Sequence, residues 1–276
     1  MFPESMIDAA LARALERGEL FLDFQPQVEA RTGRVAAVEA LLRWRHAQRG
    51  LISPAIFIPA AERSGLIVPI GDWVLRAACQ QSRRWLDAGL APVRMAVNLS
   101  ASQFSDQKLA RRVEASLDGA GLEPPDLELE ITESMMARDA DDAARIVRAL
   151  RASGVRLMID DFGTGFSSLA SLKRFPIDGL KLDRAFVAHL PHDPYDATIT
   201  RAVVAITRDL GLDLVAEGVE TDDQRIFLTE LGCGLLQGYL TGRPQSPERV
   251  AELLRPSPRR ECVSLSASRP AERRAS

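Results

Sequence analysis

The sequence has 276 residues and is 46% hydrophobic, enough for one large core and close to the length at which (β/α)8 barrels form single domains. A net charge of -3 and a pI near 5.8 give no global basic field, which argues against a general nucleic-acid or membrane-surface binder and leaves any anionic ligand to be held locally. Three dispersed cysteines (Cys79, Cys233, Cys262) and three histidines without HxxxH spacing suggest neither a disulfide frame nor a zinc enzyme, so chemistry should rest on carboxylates.

The opening Met1-Phe2-Pro3-Glu4 lacks the basic start and apolar run of a secretory signal, and no stretch reaches the length of a membrane span, so a cytoplasmic chain is expected. From Ile7 to Arg17 the apolar positions Ile7, Ala10, Leu11, Ala14 and Leu15 share one helical face, a leading helix over residues 1–18 that Gly18 stops. Leu20 to Val28 and Val35 to Trp44 read as strands joined by the turn Arg31-Thr32-Gly33-Arg34, which makes the first two antiparallel. A loop over Gly50 to Pro54 precedes helices at 55–64 and 70–88.

Beyond that point strand and helix alternate. Strands are expected at 93–99, 127–132, 155–160, 179–182, 212–216 and 234–238, with helices at 107–119, 139–152, 168–174, 197–210, 222–231 and 247–254. With the hairpin this gives about eight strands, the order of a (β/α)8 barrel over residues 19–255. An open doubly wound sheet is the alternative. The barrel is favoured because polar residues sit at the C-terminal ends of many strands, where a barrel gathers them at one mouth. The segment 256–276, rich in Arg, Ser, Pro and Ala without apolar periodicity, reads as a disordered tail.

Side chains two apart share a strand face. In Leu127-Glu128-Leu129-Glu130-Ile131 the glutamates therefore oppose the aliphatic face, putting Glu130 inward near the mouth. Asn98, Asp160, Glu217 and Gln237 end other strands, and Glu39 lies on the second. Only Lys108, Lys173 and Lys181 are lysines among the 35 basic residues, so Lys181 between two leucines of a strand needs a reason. It points where Asp160 points. Neighbouring carboxylates Asp160-Asp161 followed by a glycine-flanked loop, with others converging on the same mouth, call for cations. Hard oxygen donors with an amide favour Mg²⁺ or Mn²⁺. Arg43 could meet an anionic ligand or be one more surface arginine, and the amide of Gln25 on the first strand is a further candidate for ligand contact.

Glu39-Ala40-Leu41-Leu42-Arg43-Trp44, Val97-Asn98-Leu99-Ser100, Glu130-Ile131-Thr132-Glu133-Ser134, Asp160-Asp161-Phe162-Gly163-Thr164-Gly165, Leu180-Lys181-Leu182-Asp183, Ala216-Glu217-Gly218-Val219-Glu220-Thr221 and Gln237-Gly238-Tyr239 resemble, in order, the motifs of the bacterial EAL family of cyclic di-GMP phosphodiesterases. The resemblance implies a modified TIM barrel with an antiparallel first strand and hydrolysis of cyclic di-GMP to linear pGpG. It implies one metal held by Glu39, Asn98, Glu130 and Asp160, and a second served by Asp160, Asp161 and Glu217. Lys181 would bind the attacking water, Asp183 orient it and Gln237 complete the site. Glu133 and Glu220 would anchor the glycine loop, near which the family forms homodimers. Phe24 and Phe166 stand where the family more often has Tyr, at positions that are not metal ligands. An inert relative that binds cyclic di-GMP as a sensor or scaffold is the competing reading, but such relatives usually lose ligands or the lysine, and here every position is filled.

Overall fold

The computed structural model describes residues 4–163 and 174–255. Its element order is α1 (Glu4–Glu16), β1 (Leu20–Glu29), β2 (Val35–His46), β3 (Gly50–Ile52), α2 (Pro54–Ser64), α3 (Ile67–Asp87), β4 (Arg94–Asn98), α4 (Ala101–Phe104), α5 (Leu109–Ala120), β5 (Leu127–Thr132), α6 (Glu133–Arg138) and α7 (Ala140–Ala152). There follow β6 (Arg156–Phe162), β7 (Gly179–Leu182), α8 (Arg184–Val187), α9 (Pro194–Leu210), β8 (Asp213–Ala216), α10 (Asp222–Leu231), β9 (Leu235–Leu236) and α11 (Pro247–Leu254).

Sheet order β1-β9-β8-β7-β6-β5-β4-β2, with β1 also paired to β2, closes an eight-stranded barrel, and β3 is an added hairpin arm on β2. β1 is antiparallel to both neighbours while β2 and β4 to β9 are parallel, as the tight Gly33 turn requires. A hairpin can join antiparallel strands in a few residues, whereas each parallel step needs a helical crossover. The helices supply those crossovers. α3 buries Ile70, Val74, Leu75, Ala78 and Cys79 against the sheet, and α7, α9 and α10 begin at side-chain caps from Asp139, Asp193 and Thr221. α1 buries Ile7, Ala10, Leu11 and Ala14 in the same core, so the leading helix packs on the barrel.

Three points differ from the sequence reading. Gly50–Ile52 pairs with β2 instead of forming a loop, the last barrel strand shrinks to two residues, and the short helices α4, α6 and α8 follow β4, β5 and β7 directly. None of these short segments is long enough to show periodicity. The expected helix at 168–174 and the tail at 256–276 fall outside the described residues, apart from Arg174.

The barrel interior is layered, as alternation along each strand demands. At the floor Arg94 and Arg156 meet buried Glu128, at 3.5 and 3.3 Å, and Asp213, at 3.8 and 2.7 Å. Above them Met158, Val215 and Leu235 form a small apolar plug. Two residues further along the same strands lie Glu130, Asp160, Glu217 and Gln237, which open to the mouth.

Candidate active site

Lys181 is the centre of the mouth. It is 1% exposed, and its Nζ lies 2.7 Å from Glu217 Oε1, 3.0 Å from Glu130 Oε2, 3.4 Å from Asp160 Oδ1 and 3.5 Å from Glu39 Oε2. Four strands therefore aim carboxylates at one ammonium. Burial alone would strip the lysine of its proton, but the surrounding carboxylates hold its pKa well above the ordinary value.

The carboxylates respond differently to the same centre. Burial pushes Glu39 up, yet Lys181 and hydrogen bonds from Gln237 and Asn98 outweigh it and hold Glu39 below its usual range. Glu130 is pushed well up by burial and by the Glu39 charge, more than Lys181 can offset. Among the described residues neither Glu130 oxygen accepts a hydrogen bond, although the Lys181 ammonium lies beside Oε2. Glu217 is pushed up to about 7, chiefly by burial.

At the end of β6 the ladder to β7 slips between Ile159 and Phe162, and Asp161 takes φ 55. Asp tolerates that left-handed conformation better than most residues, and its amide donates to Asp160 Oδ1 at 2.9 Å. The slip turns both aspartates to the mouth. Partial burial, then the charges of Asp160 and Asp183, push the Asp161 carboxyl up. Oxygens of Asp160, Asp161 and Glu217 lie within 4.8 Å of one another. Together with the buried oxygens of Glu130, which pair with the Lys181 ammonium but accept no hydrogen bond among the described residues, this set fits a divalent cation: hard donors and excess negative charge.

Amides complete the ring. Asn98 Nδ2 donates to Glu39 Oε1 at 2.6 Å, which leaves its carbonyl oxygen as a possible ligand. Gln237 Nε2 donates to Glu39 Oε2 at 2.5 Å and to Gln25 Oε1 at 3.3 Å, and Gln25 in turn donates to the Gly242 carbonyl. Gly238 permits this, since a Cβ there would strike the Val219 backbone.

The other sequence candidates lie at the rim. Asp183 caps α8 by accepting from the Ala185 amide at 2.7 Å, and its charge reaches Asp161. Arg43 is held by Asp23 at 2.9 Å and by the Leu42 carbonyl, beside an apolar cavity of about 330 Å³ that also touches Asn98, Ile58 and Ile70. Glu133 begins α6 and is 9% exposed; the loop it is expected to anchor continues past Gly163 into residues outside the description. Glu220 pairs with Arg184 at 2.9 Å. Arg184 and Tyr239 line the acidic cavity, about 300 Å³, together with Gln25, Glu39, Lys181 and Glu217, and Arg184 was not singled out from the sequence. With Arg dominating the basic residues, one arginine after Asp183 carries no signal; its packing over Gly218, where no Cβ would fit, appears only in three dimensions.

Known proteins resemble the chain along the barrel. It is 54% identical over 240 residues to the bifunctional diguanylate cyclase/cyclic di-GMP phosphodiesterase MucR of Pseudomonas aeruginosa, covering 87% of this chain and 35% of that protein. It is 39% identical over 244 residues to the cyclic di-GMP phosphodiesterase PdeR of Escherichia coli, covering 88% and 37%. The chain thus spans about a third of the length of these curated relatives. Among solved structures, the PaMucR phosphodiesterase in complex with c-di-GMP superposes with a TM-score of 0.85 at 53% identity, over 88% of this chain and 99% of that one. No helix among the described residues is long and apolar enough to cross a membrane. Residues 8–244, from within α1 to just beyond the mouth segment that carries Gln237, match the family described as EAL domain, and the chain belongs to that family.

Proposed function

We propose that the chain is a metal-dependent phosphodiesterase that hydrolyses cyclic di-GMP to linear pGpG. The observation that carries the reading is the complete carboxylate ring around buried Lys181, which an inert binding domain has no need to maintain at the cost of desolvating five ionisable groups. The names of MucR and PdeR and the c-di-GMP complex of PaMucR support the substrate.

Glu39, Asn98, Glu130 and Asp160 are suited to hold one divalent cation, Mg²⁺ or Mn²⁺, and Asp160, Asp161 and Glu217 a second. Such ions supply Lewis-acid polarisation of the phosphodiester and a water acidic enough to deprotonate near neutral pH. Lys181, charged throughout the neutral range, holds the attacking water oxygen by hydrogen bonding and stabilises negative charge developing there. Glu217, whose Oε1 lies 2.7 Å from the Lys181 ammonium, is the carboxylate best situated to take that proton. Asp183, from the rim, orients the water. The new O–P bond forms as the P–O3′ bond breaks; the departing 3′ oxygen takes a proton from solvent, to which Glu217 returns the one it accepted.

Gln25 and Gln237 border the acidic cavity and Arg43 the apolar one; we assign them contacts to phosphate and guanine edges, with the apolar cavity offering a base a surface to cover. For Glu133 and Glu220 we keep the loop-anchoring role that the family resemblance implies, and assembly as a homodimer would then be a route to regulating turnover. Incubation of the purified chain with cyclic di-GMP and Mn²⁺, followed by chromatography, should yield pGpG; EDTA and Lys181→Met should each abolish it. Tight binding without product would leave a sensor.

A further inference from the structure

Gln27 lies on β1 two residues beyond Gln25, and because β1 runs antiparallel it sits deeper in the barrel. It is 0% exposed and faces Ala37, small enough to leave room for the amide. The ladder to β2 slips just after this position, where Ala36 of β2 is left without a partner on β1. Its Nε2 donates to Gln237 Oε1 at 3.0 Å, whereas its own Oε1 has no hydrogen-bond partner among the described residues. A buried amide left half satisfied costs stability, so the fold gains little from it.

What it does fix is polarity. A side-chain amide presents its oxygen and its nitrogen on opposite sides. With Oε1 of Gln237 engaged by Gln27, Nε2 of Gln237 must face Glu39, where it donates at 2.5 Å. Reversed, Gln237 would aim a carbonyl at a carboxylate. Glu39 is in turn held on its other oxygen by Asn98.

We propose that Gln27 is a positioning residue for the metal centre: through Gln237 it locks the orientation of Glu39, and thereby sets the affinity for a divalent cation. The inference rests on the functional reading above. Partners that orient a ligand typically carry 10–100-fold in metal affinity. Gln27→Met keeps the shape and removes the donor, and Gln27→Asn keeps an amide one methylene too short to reach Gln237.

The test is direct Mn²⁺ titration of the full chain without substrate, reading free Mn²⁺ by electron paramagnetic resonance, with turnover measured separately at saturating Mn²⁺. Expected is at least a tenfold weaker Mn²⁺ Kd in both variants, with turnover recovered as Mn²⁺ is raised to saturation, a split that lost packing alone does not produce. A folded variant, Met or Asn, that binds Mn²⁺ within twofold of the parent overturns the relay while leaving the functional reading intact. A parent chain that binds no Mn²⁺ defeats both.

Discussion

Replacing Lys181 with methionine removes one charge and almost no volume, so its consequences can be worked from the geometry. Four carboxylate oxygens lie between 2.7 and 3.5 Å from the ammonium. At ~3 Å and an effective dielectric of about 20 each contact carries on the order of 5 kcal/mol of attraction, set against several kcal/mol to desolvate each ion. Loss of one partner from a buried ion cluster costs about 3–5 kcal/mol, or roughly 10 °C in Tm for a chain of this size. Without metal, the orphaned carboxylates can escape this only by taking up protons. Lys181 itself contributes nothing to the pH dependence below its unfolded pKa, because its raised pKa keeps it charged in both states there and its contribution is lost only at high pH. Glu130 and Glu217 do contribute: their folded pKa values are raised, so the native state binds more protons and stability falls as pH rises from the unfolded value of 4.5. For Glu217 in the parent, a shift from 4.5 to about 7 amounts to roughly 3 kcal/mol across that window. In EDTA, Lys181→Met should therefore melt well below the parent at pH 8 and approach it at pH 5, and added Mn²⁺ should narrow the gap at pH 8. Thermal unfolding followed by circular dichroism at both pH values reads this. A deficit under 2 °C at pH 8, or one equal at both pH values, would refute the argument that the lysine neutralises the ring.

Asp161→Asn keeps a side chain that tolerates φ 55 and removes a carboxyl already pushed up by burial, Asp160 and Asp183; in EDTA its Tm should equal or exceed the parent's, while Mn²⁺-dependent turnover falls on the order of 100-fold. Glu128→Gln breaks the floor pairs with Arg94 and Arg156, so urea unfolding should show a loss of about 3 kcal/mol with kcat of the folded enzyme within about threefold. Gly238→Ala drives a Cβ into the Val219 backbone, which has no free end to swing away; a loss of about 3 kcal/mol and displaced Gln237 contacts should appear in denaturation and in Mn²⁺ affinity together.

Alternation along single strands made much of the site legible. Glu128 and Glu130 share a face opposite Leu127, Leu129 and Ile131, and the sequence periodicity alone sends both inward. Lys181 declared itself by rarity, one of three lysines and flanked by leucines. The hairpin that turns β1 against its neighbours was equally plain, because Gly33 and the flanking strands are local. What stayed hidden depends on closure. Gln27 meets Gln237 across 210 residues of chain, through a two-residue strand that has no period to read. Arg184 joins the cavity by packing over Gly218, and the left-handed turn at Asp161 comes from a register slip between β6 and β7. Each is set by how distant strands meet, which no window of sequence contains.

The most direct measurement of the central claim is the fate of solvent oxygen. Turnover of cyclic di-GMP by the purified chain with Mn²⁺ in H₂¹⁸O should give pGpG carrying one ¹⁸O in its terminal phosphate by mass spectrometry, and none in recovered cyclic dinucleotide. Cyclic dinucleotide returned intact, or a linear product without the label, would contradict attack by a water held in the carboxylate ring around Lys181.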